Sequence, residues 1–376
     1  MKIAINARHL LKDNLEGVGW YTFEMIRFWA KTHADDRFYL LFDRPYAQEF
    51  IMNNNIIPVV IAPPARHPLL FIWWFEIGVN RTLKQINPDV YFSPDGFMPL
   101  SSSVPAVITI HDVAHRAFPG HIPFFMRGYY HFFSPRFLKK ARAIVTVSNF
   151  SKAEIIKYFD TPAAKITVIY NACREVFKPA SFFTEIDIPG IIGIQEPYIL
   201  YVGSIHPRKN LPVLIQAFEL LKSRGFRHHL LIIGRLAWKR GEFTKILGRT
   251  PSRTAIHHLQ KIPDQTLAAI MAHASVLVYP SMYEGFGFPL LEGMHAEVPV
   301  IAARSSSLTE IGGDAVLYFE PNEPGVLCEL LEKTITDQQV RKTLTEKSKI
   351  QRTKFDWMKS SLQLYHILKS EIPITP

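Results

Sequence analysis

The sequence predicts an α/β protein made of two Rossmann-like, doubly wound domains that face each other across a central cleft. Three observations support this prediction. The chain has 376 residues, more than a single hydrophobic core usually organises. Short apolar runs alternate with segments of helical spacing in both halves of the chain. A segment without a clean period, residues 178–196, separates the two series.

The first series opens with an apolar run at residues 2–6 and a segment of helical spacing at residues 20–31. Near-continuous runs of Val, Ile and Tyr are typical of parallel strands that are buried on both faces. Further strands are predicted at residues 37–42, 58–61, 89–93, 106–110 and 143–147, with a helix at residues 70–86.

The second series repeats this alternation. Its strands are predicted at residues 198–202, 229–233, 275–279, 299–302 and 315–319, and its helices at residues 211–222, 264–274 and 287–297. One more amphipathic helix is predicted at residues 356–370. We therefore place an N-terminal domain at residues 1–180, a C-terminal domain at residues 181–355, and a terminal helix, residues 356–376, that packs back on the N-terminal domain. A cleft between two such domains is the expected ligand site.

Composition narrows the class of protein. With 48% hydrophobic and 20% charged residues, the chain is globular rather than disordered. The two cysteines, Cys173 and Cys328, lack metal-binding spacing and suit a reducing compartment. No signal peptide and no apolar run long enough to span a membrane is present, which predicts a cytoplasmic protein. The net charge of +10 fits an anionic membrane surface or a phosphorylated substrate, and no motif indicates a nucleic-acid partner.

The strongest chemical motif is the segment 281–292, which reads SMYEGFGFPLLE and follows a predicted strand. Gly285 and Gly287 allow the backbone to approach a ligand, and the helix that starts there offers N–H groups and a positive dipole end to a diphosphate. Glu292 lies about two turns along that helix, within reach of a ribose hydroxyl. The alternative is a plain glycine turn flanked by solvated glutamates, and the fixed spacing of Glu284 and Glu292 favours binding.

This E-x7-E pattern resembles the signature of the retaining glycosyltransferases of family 4, which have the GT-B fold. Other segments resemble family motifs in the expected order. They are residues 16–22 (EGVGWYT), His111-Asp112, residues 147–151 (VSNFS), Asn171 with residues 176–179 (VFKP), residues 201–203 (YVG) and residues 207–210 (PRKN). The resemblance therefore extends over nearly the whole chain.

The resemblance implies that the domain at residues 1–180 binds the acceptor and that the domain at residues 181–355 binds the nucleotide sugar. It also implies a role for each matching position. His111 would contact the transferred sugar and Glu284 would sit beside it, so these two are the predicted catalytic residues. The predicted donor-binding residues are Gly17, Gly19, Gly203, Ser204, Arg208, Lys209, Gly234, Arg235, Ile262, Phe286, Gly287, Phe288, Pro289, Leu290 and Glu292. Within this set, Lys209 would pair with the diphosphate and residues 286–290 would present backbone N–H groups to it. Glu292 would hold the ribose, and residues 234–235 and 261–263 would lie near the base.

One position departs from the family pattern. Ser204 stands where many members have an arginine, and Arg208 next to Lys209 can supply that charge. The PRKN variant resembles bacterial mannosyl- and rhamnosyltransferases, which implies GDP-mannose as donor. The predicted activity is transfer of a hexose, with retention and without a metal, to a glycan or lipid-linked glycan in cell-surface polysaccharide synthesis. A nucleotide-sugar epimerase, which needs no acceptor, and a non-catalytic nucleotide-sugar-binding protein are the alternatives.

Two aromatic segments allow either core packing or contact with a membrane or an acceptor. Core packing is preferred for residues 71–75 (FIWWF). Residues 128–142 combine aromatic and basic side chains. A core helix with a solvated basic face explains this segment at least as well as contact with an anionic membrane or the acceptor does. Such membrane contact would place the protein peripherally at the inner face of the membrane. The histidine pairs at 228–229 and 257–258 are interpreted as structural.

Overall fold

The computed structural model describes residues 1–12, 15–65, 68–237, 240–260 and 262–372. The chain forms two compact units, the first made of Met1–Asn171 and Asp356–Pro376 and the second of Ala172–Phe355. Each unit contains a wholly parallel sheet, as the alternating pattern of the sequence predicts.

The first unit contains the strands and helices up to Asn171, together with the last helix of the chain. Its strands are β1 (Lys2–Asn6), β2 (Arg37–Phe42), β3 (Ile56–Val60), β4 (Val90–Ser93), β5 (Ala106–Ile110), β6 (Ala143–Thr146) and β7 (Ile166–Val168). Its helices are α1 (Gly17–Thr32), α2 (Pro68–Trp73), α3 (Asn80–Ile86), α4 (Ala114–Ala117), α5 (Phe124–Lys140) and α6 (Asn149–Phe159). A π-helical segment, Trp74–Val79, joins α2 to α3.

The described strands of the second unit are β8 (Tyr198–Val202), β9 (His229–Ile233), β10 (Ile256–Leu259), β11 (Val276–Tyr279), β12 (Val300–Ala303) and β13 (Val316–Phe319). Its helices are α7 (Ile188–Ile192), α8 (Leu211–Ser223), α9 (Arg240–Gly248), α10 (Asp264–Ala272), α11 (Phe288–His295), α12 (Leu308–Gly312), α13 (Pro324–Thr336) and α14 (Gln338–Gln351). The inner strands β8, β9, β11 and β12 are almost fully buried because helices and loops cover their near-continuous apolar runs.

The strand order of each sheet defines one point at which the chain changes direction across the sheet. The first sheet has the order β3-β2-β1-β4-β5-β6-β7, and the second has the order β10-β9-β8-β11-β12-β13. The direction therefore changes between β1 and β4 and between β8 and β11. Because every strand is parallel, the carboxyl ends meet at one edge, and ligands of open α/β sheets bind at such a switch point.

The last helix, α15 (Trp357–Ser370), belongs to the first unit. The indole Nε1 of the fully buried Trp29 on α1 donates to the Ser361 carbonyl at 2.8 Å. The Ser360 hydroxyl donates to the Tyr170 carbonyl at 2.7 Å. The helix that follows the second unit thus completes the core of the first.

Some elements differ from the sequence prediction. The edge strands β7 and β10 were not predicted because they are short and half exposed, so they lack a continuous apolar run. The predicted helix at 70–86 contains the π-helical segment, and α13 and α14 were not predicted. The first unit ends at Asn171 rather than at residue 180, because Phe177 and neighbouring residues are buried in the second unit.

The aromatic segment 71–75 packs largely into the core, where Trp74 and Phe75 are buried, while Trp73 is exposed. In the described ranges, no helix combines the length and the apolar character that are needed to cross a membrane.

Candidate functional site

The switch point of the second unit brings together Lys209, from the turn after β8, and Glu284, from the turn after β11. Pro207–Lys209 forms a short 3-10 turn, and the Arg208 N–H donates to Nδ1 of His206, which caps it. Both side chains are almost buried, at 8% exposure for Lys209 and 10% for Glu284. The two motifs, 75 residues apart in sequence, therefore form one site.

Tyr279, the last residue of β11, completes a three-membered network. The Lys209 ammonium donates to the Tyr279 hydroxyl at 2.9 Å and to Oε1 of Glu284. The Tyr279 hydroxyl donates to the same Oε1 at 2.9 Å. Sequence reasoning missed Tyr279, although its place at the end of a strand that precedes the glycine turn is a usable signal.

The charges of this network favour an ionised carboxylate. Burial by itself raises the pKa of Glu284, but Lys209 and Arg208 outweigh burial, and the net effect is a lowered pKa. Arg208 is held close by its own contact, in which Nη1 donates to the Tyr283 carbonyl at 3.3 Å. Two cations against one carboxylate leave one positive charge in excess, which suits an anionic ligand.

The glycine turn after Glu284 leads directly into α11. Gly287 has φ +109°, and a Cβ there would lie 2.8 Å from Leu308 Cδ2, so only glycine fits. The Ser307 hydroxyl donates to the carbonyls of Glu284, at 3.0 Å, and of Phe286, at 2.8 Å, which fixes the turn.

The prediction that residues 286–290 all offer N–H groups needs a correction at its last two positions. Pro289 has no backbone N–H, and the Leu290 N–H donates to the Gly287 carbonyl at 3.1 Å. Within residues 286–290, the predicted N–H groups can therefore belong only to Phe286, Gly287 and Phe288.

Glu292, the predicted ribose ligand, is buried on α11 and ion-paired. Its Oε1 accepts from Arg174 Nε at 3.1 Å and from Nη2 at 2.8 Å, while Arg174 Nη1 lies 2.8 Å from Asp264 Oδ1. Burial lowers the pKa of Arg174, but Glu292 and Asp264 outweigh it and raise the pKa overall. Arg174 was not predicted, although it lies between two segments that the family pattern singles out, Asn171 and residues 176–179.

The loops after β8 and β9 touch through their backbones. A Cβ on Gly234, which has φ +156°, would lie 1.9 Å from the Gly203 carbonyl oxygen. The Ser204 carbonyl accepts from Tyr201 and the Arg235 carbonyl accepts from Ile205. The two glycines thus have a structural reason for their identity besides the predicted donor contact.

Of the segment predicted to lie near the base, Ile262 is half-buried just before α10, and Lys261 lies outside the described residues.

In the first unit, His111 follows β5 and is held by the turn after β4. Its Nε2–H donates to the Pro94 carbonyl at 2.7 Å, and the Ser151 hydroxyl donates to the His111 carbonyl at 3.1 Å. Burial lowers the pKa of His111, more than Asp112 and the Pro94 carbonyl raise it. The ring is therefore neutral near pH 7, with Nδ1 as a hydrogen-bond acceptor.

The two glycines of residues 16–22 that were predicted to contact the donor, Gly17 and Gly19, differ in their surroundings. Gly17 is exposed at the start of α1. A Cβ on the buried Gly19 would lie 2.7 Å from the His9 carbonyl oxygen. Gly19 therefore allows α1 to pack directly against the segment that follows β1.

Among the described residues, no three His, Cys, Asp or Glu side chains cluster as metal ligands would. The histidine pairs interpreted as structural include one direct contact, with His229 Nδ1 at 2.8 Å from His257 Nε2.

Comparison with known proteins identifies the class. The chain matches the family model described as Glycosyltransferase Family 4 over residues 15–174 and the model described as Glycosyl transferases group 1 over residues 185–351. With these two models matched in succession, the chain belongs to the glycosyltransferases of the family 4 type and is an enzyme of the hexosyltransferase kind.

Individual relatives and solved structures agree with this assignment. The chain is 29% identical to O-antigen chain mannosyltransferase B of Escherichia coli, over 98% of this chain and 100% of that protein. It is 26% identical to O-antigen chain mannosyltransferase RfbU of Salmonella typhimurium, over 78% and 77%. The crystal structure of Anabaena Alr3699/HepE in complex with UDP and glucose superimposes with a TM-score of 0.78 at 17% identity, covering 98% of this chain and 100% of that one. The fold of both units is thus GT-B, as predicted.

Proposed function

We propose that this glycosyltransferase moves mannose from GDP-mannose to a glycan or lipid-linked glycan acceptor, with retention and without a metal ion, in cell-surface polysaccharide synthesis. The names of the two O-antigen mannosyltransferases support mannose as the transferred sugar. The observation that carries the proposal is the buried Lys209–Glu284–Tyr279 network beside Arg208.

In this mechanism, Lys209 and Arg208 stabilise the charge that grows on the departing diphosphate. Electrostatic stabilisation by pre-positioned donors is commonly the largest single catalytic contribution, and removal of one such donor costs about 10²–10³ in kcat. Tyr279 and Glu284 hold the Lys209 ammonium in place, so little reorganisation is needed during the reaction. These two cations supply what a divalent metal would otherwise supply.

Retention follows here from a front-face transfer. The bond between the anomeric carbon and the diphosphate oxygen breaks, the acceptor hydroxyl oxygen bonds to the same face, and its proton passes to the departing phosphate. A double displacement would need a carboxylate nucleophile. Glu284 is a poor one, because Lys209 and Tyr279 both donate to its Oε1.

His111 orients the transferred sugar in this scheme. Because Nε2–H is bound to the Pro94 carbonyl, Nδ1 can accept a hydrogen bond from a sugar hydroxyl. Glu292 holds the donor ribose, and its pairing with Arg174 fixes the carboxylate for that contact.

The test is a donor panel. Purified protein is mixed with GDP-mannose, UDP-glucose, UDP-N-acetylglucosamine, UDP-galactose and dTDP-rhamnose, with and without EDTA, while Tm and slow donor hydrolysis are followed. GDP-mannose should raise Tm by mass action, and EDTA should leave the shift unchanged.

A shift with a different donor would replace mannose in the proposal, and a shift abolished by EDTA would refute metal independence. Proton NMR of the anomeric signal then distinguishes retention from inversion. Release of an isomerised sugar without any acceptor would indicate the epimerase instead.

We also propose that the first unit contacts an anionic membrane surface through α5. Phe132 is half-exposed on this helix, with Arg136 over its ring at 3.5 Å, and Arg127, Lys139 and Lys140 are exposed. An exposed aromatic among cations suits an anionic lipid surface. Flotation with phosphatidylglycerol vesicles should recover the protein, whereas neutral vesicles or a Phe132→Ser/Lys139→Glu variant should recover much less. Equal recovery in all three cases would refute this contact.

A further inference from the structure

The switch point of the first sheet holds a second polar cluster, which no motif of the sequence analysis includes. Asp95 follows β4, and Arg8 and His9 follow β1. Asp95 Oδ2 accepts from Arg8 Nη2 at 2.7 Å and from His9 Nε2 at 3.0 Å. In the second unit, Lys209 and Glu284 meet at the equivalent point, which suggests that this cluster also serves a ligand.

Four donors besides His9 anchor the Asp95 carboxylate. Oδ1 accepts from Asn6 Nδ2 at 2.8 Å, from the Ser93 hydroxyl at 2.8 Å and from the Phe97 N–H at 3.2 Å, and Arg8 binds Oδ2. Three donors thus crowd Oδ1, whereas Arg8 takes one of the two lone-pair sites of Oδ2 and His9 takes the other. Burial raises the pKa of Asp95, but Arg8 and His9 outweigh it and hold the pKa well below its usual range.

His9 is the member of the cluster that faces solvent. Its side chain is 37% exposed, compared with 12% for Arg8 and 4% for Asp95. The hydrogen bond to Asp95 holds this half-exposed ring in one orientation, at a cost in side-chain entropy. With Nε2–H directed at Asp95, Nδ1 is left as a fixed hydrogen-bond acceptor.

One turn positions His9 and His111 together. Pro94 accepts from Nε2 of His111, and the next residue, Asp95, accepts from Nε2 of His9. Gly96, at φ +82°, packs this turn against β5, since a Cβ would lie 2.6 Å from Ile110 Cδ1. Both rings thus keep Nδ1 for a ligand and are anchored by adjacent residues.

The surroundings of the cluster suit a neutral, hydroxyl-rich ligand rather than an anion. The Arg8 charge is paired with Asp95, and its guanidinium lies over the rings of Phe71, at 4.5 Å, and Phe97, at 5.5 Å. Arg8 Nε is buried, with no hydrogen-bond partner among the described residues. Charge-neutral polar groups beside aromatic rings are the usual lining of small-molecule sites.

We propose that the Arg8–His9–Asp95 cluster binds a pyranose unit of the acceptor glycan, with His9 Nδ1 accepting a hydrogen bond from a sugar hydroxyl. Asp95 and Arg8 are positioning residues that fix the His9 ring. The proposal rests on the proposed transferase function and assigns a binding site within the first unit alone.

The test measures weak sugar binding directly. Saturation-transfer difference NMR is recorded on the full chain, in the presence of GDP, with the methyl α-glycosides of mannose, glucose, galactose and N-acetylglucosamine. We expect at least one glycoside to bind the wild-type protein, and His9→Ala to weaken that binding about tenfold, the effect of one lost hydrogen bond. The Kd for GDP should change less than twofold.

His366→Ala, which removes an exposed histidine of the same unit, is the matched control and should leave glycoside binding unchanged. The proposal is overturned if no glycoside binds the wild-type protein or if His9→Ala binds it equally well. It is also overturned if His9→Ala lowers Tm by more than about 3 °C, because His9 is then part of the scaffold. Failure of GDP-mannose to bind would refute the proposed donor and leave the glycoside result to be judged separately.

Discussion

The Lys209 ammonium and the Glu284 carboxylate form a nearly buried ion pair at the switch point of the second sheet, with the Tyr279 hydroxyl bonded to both. Removing one charge of a buried pair leaves the other uncompensated, whereas removing both is much less costly. This relationship allows stability and catalysis to be separated experimentally.

Lys209→Met should therefore lower the free energy of unfolding of the second unit by about 3–5 kcal/mol, because Glu284 stays buried without the ammonium group that is hydrogen-bonded to it. Adding Glu284→Gln should restore most of that loss without restoring transfer. Urea unfolding and initial rates of transfer measure the two quantities. If the double variant is as unstable as the single one, the pair is not the source of the loss.

Arg174→Leu should destabilise the second unit by a similar ~3–5 kcal/mol, since Glu292 would keep a buried charge. The matched control is Arg224→Leu, which breaks the Arg224–Glu332 pair, in which both side chains are about 40% exposed. An exposed pair contributes at most about 1 kcal/mol. Equal losses for the two variants, measured by urea unfolding, would contradict the structural role of Arg174.

Gly234→Ala should cost at least ~2 kcal/mol, because the new methyl group would overlap the Gly203 carbonyl. It should also reduce the Tm shift given by a nucleotide. Gly248→Ala is the control, since a Cβ there meets nothing within 4 Å. Thermal unfolding with and without GDP compares the two, and a stable Gly234→Ala protein would disprove the close backbone approach.

The dependence of stability on pH should include a contribution from His295. Burial, and next Arg352, lower the pKa of His295 to about 4. Since the unfolded pKa is about 6.5, the unfolded state binds a proton between these values and the folded state does not. The contribution of neutral His295 to the free energy of unfolding is therefore fully present above pH 6.5 and is lost as the pH falls toward 4. Urea unfolding at pH 7.5 and pH 5 should show a smaller fall for His295→Gln than for the wild type, and an unchanged fall for the exposed control His366→Gln.

Part of the fold and part of the candidate site could be predicted from the sequence. The strands that precede Lys209 and Glu284, β8 and β11, were predictable because buried parallel strands have near-continuous apolar runs. The family resemblance then assigned roles to both residues. The edge strands β7 and β10 were not predictable by the same signal, because half-exposed strands mix polar and apolar residues.

Contacts between segments that are far apart in the sequence could not be predicted from local sequence patterns. Arg174 pairs with a glutamate 118 residues away, and Asp95 meets Arg8 across 87 residues. Nothing in the spacing of either arginine indicates its partner. Only the order of strands in the sheet, which places β1 beside β4, brings Arg8 to Asp95.

The return of α15 to the first unit has a consequence for synthesis on the ribosome. The carbonyl that accepts from Trp29 Nε1 belongs to Ser361, which emerges from the ribosome after all of the second unit. The second unit is continuous in sequence and can fold while the chain is still growing. The first unit can complete its core only after α15 has been synthesised. A chain that stalls or ends before α15 would therefore leave the hydrophobic core of the first unit incomplete.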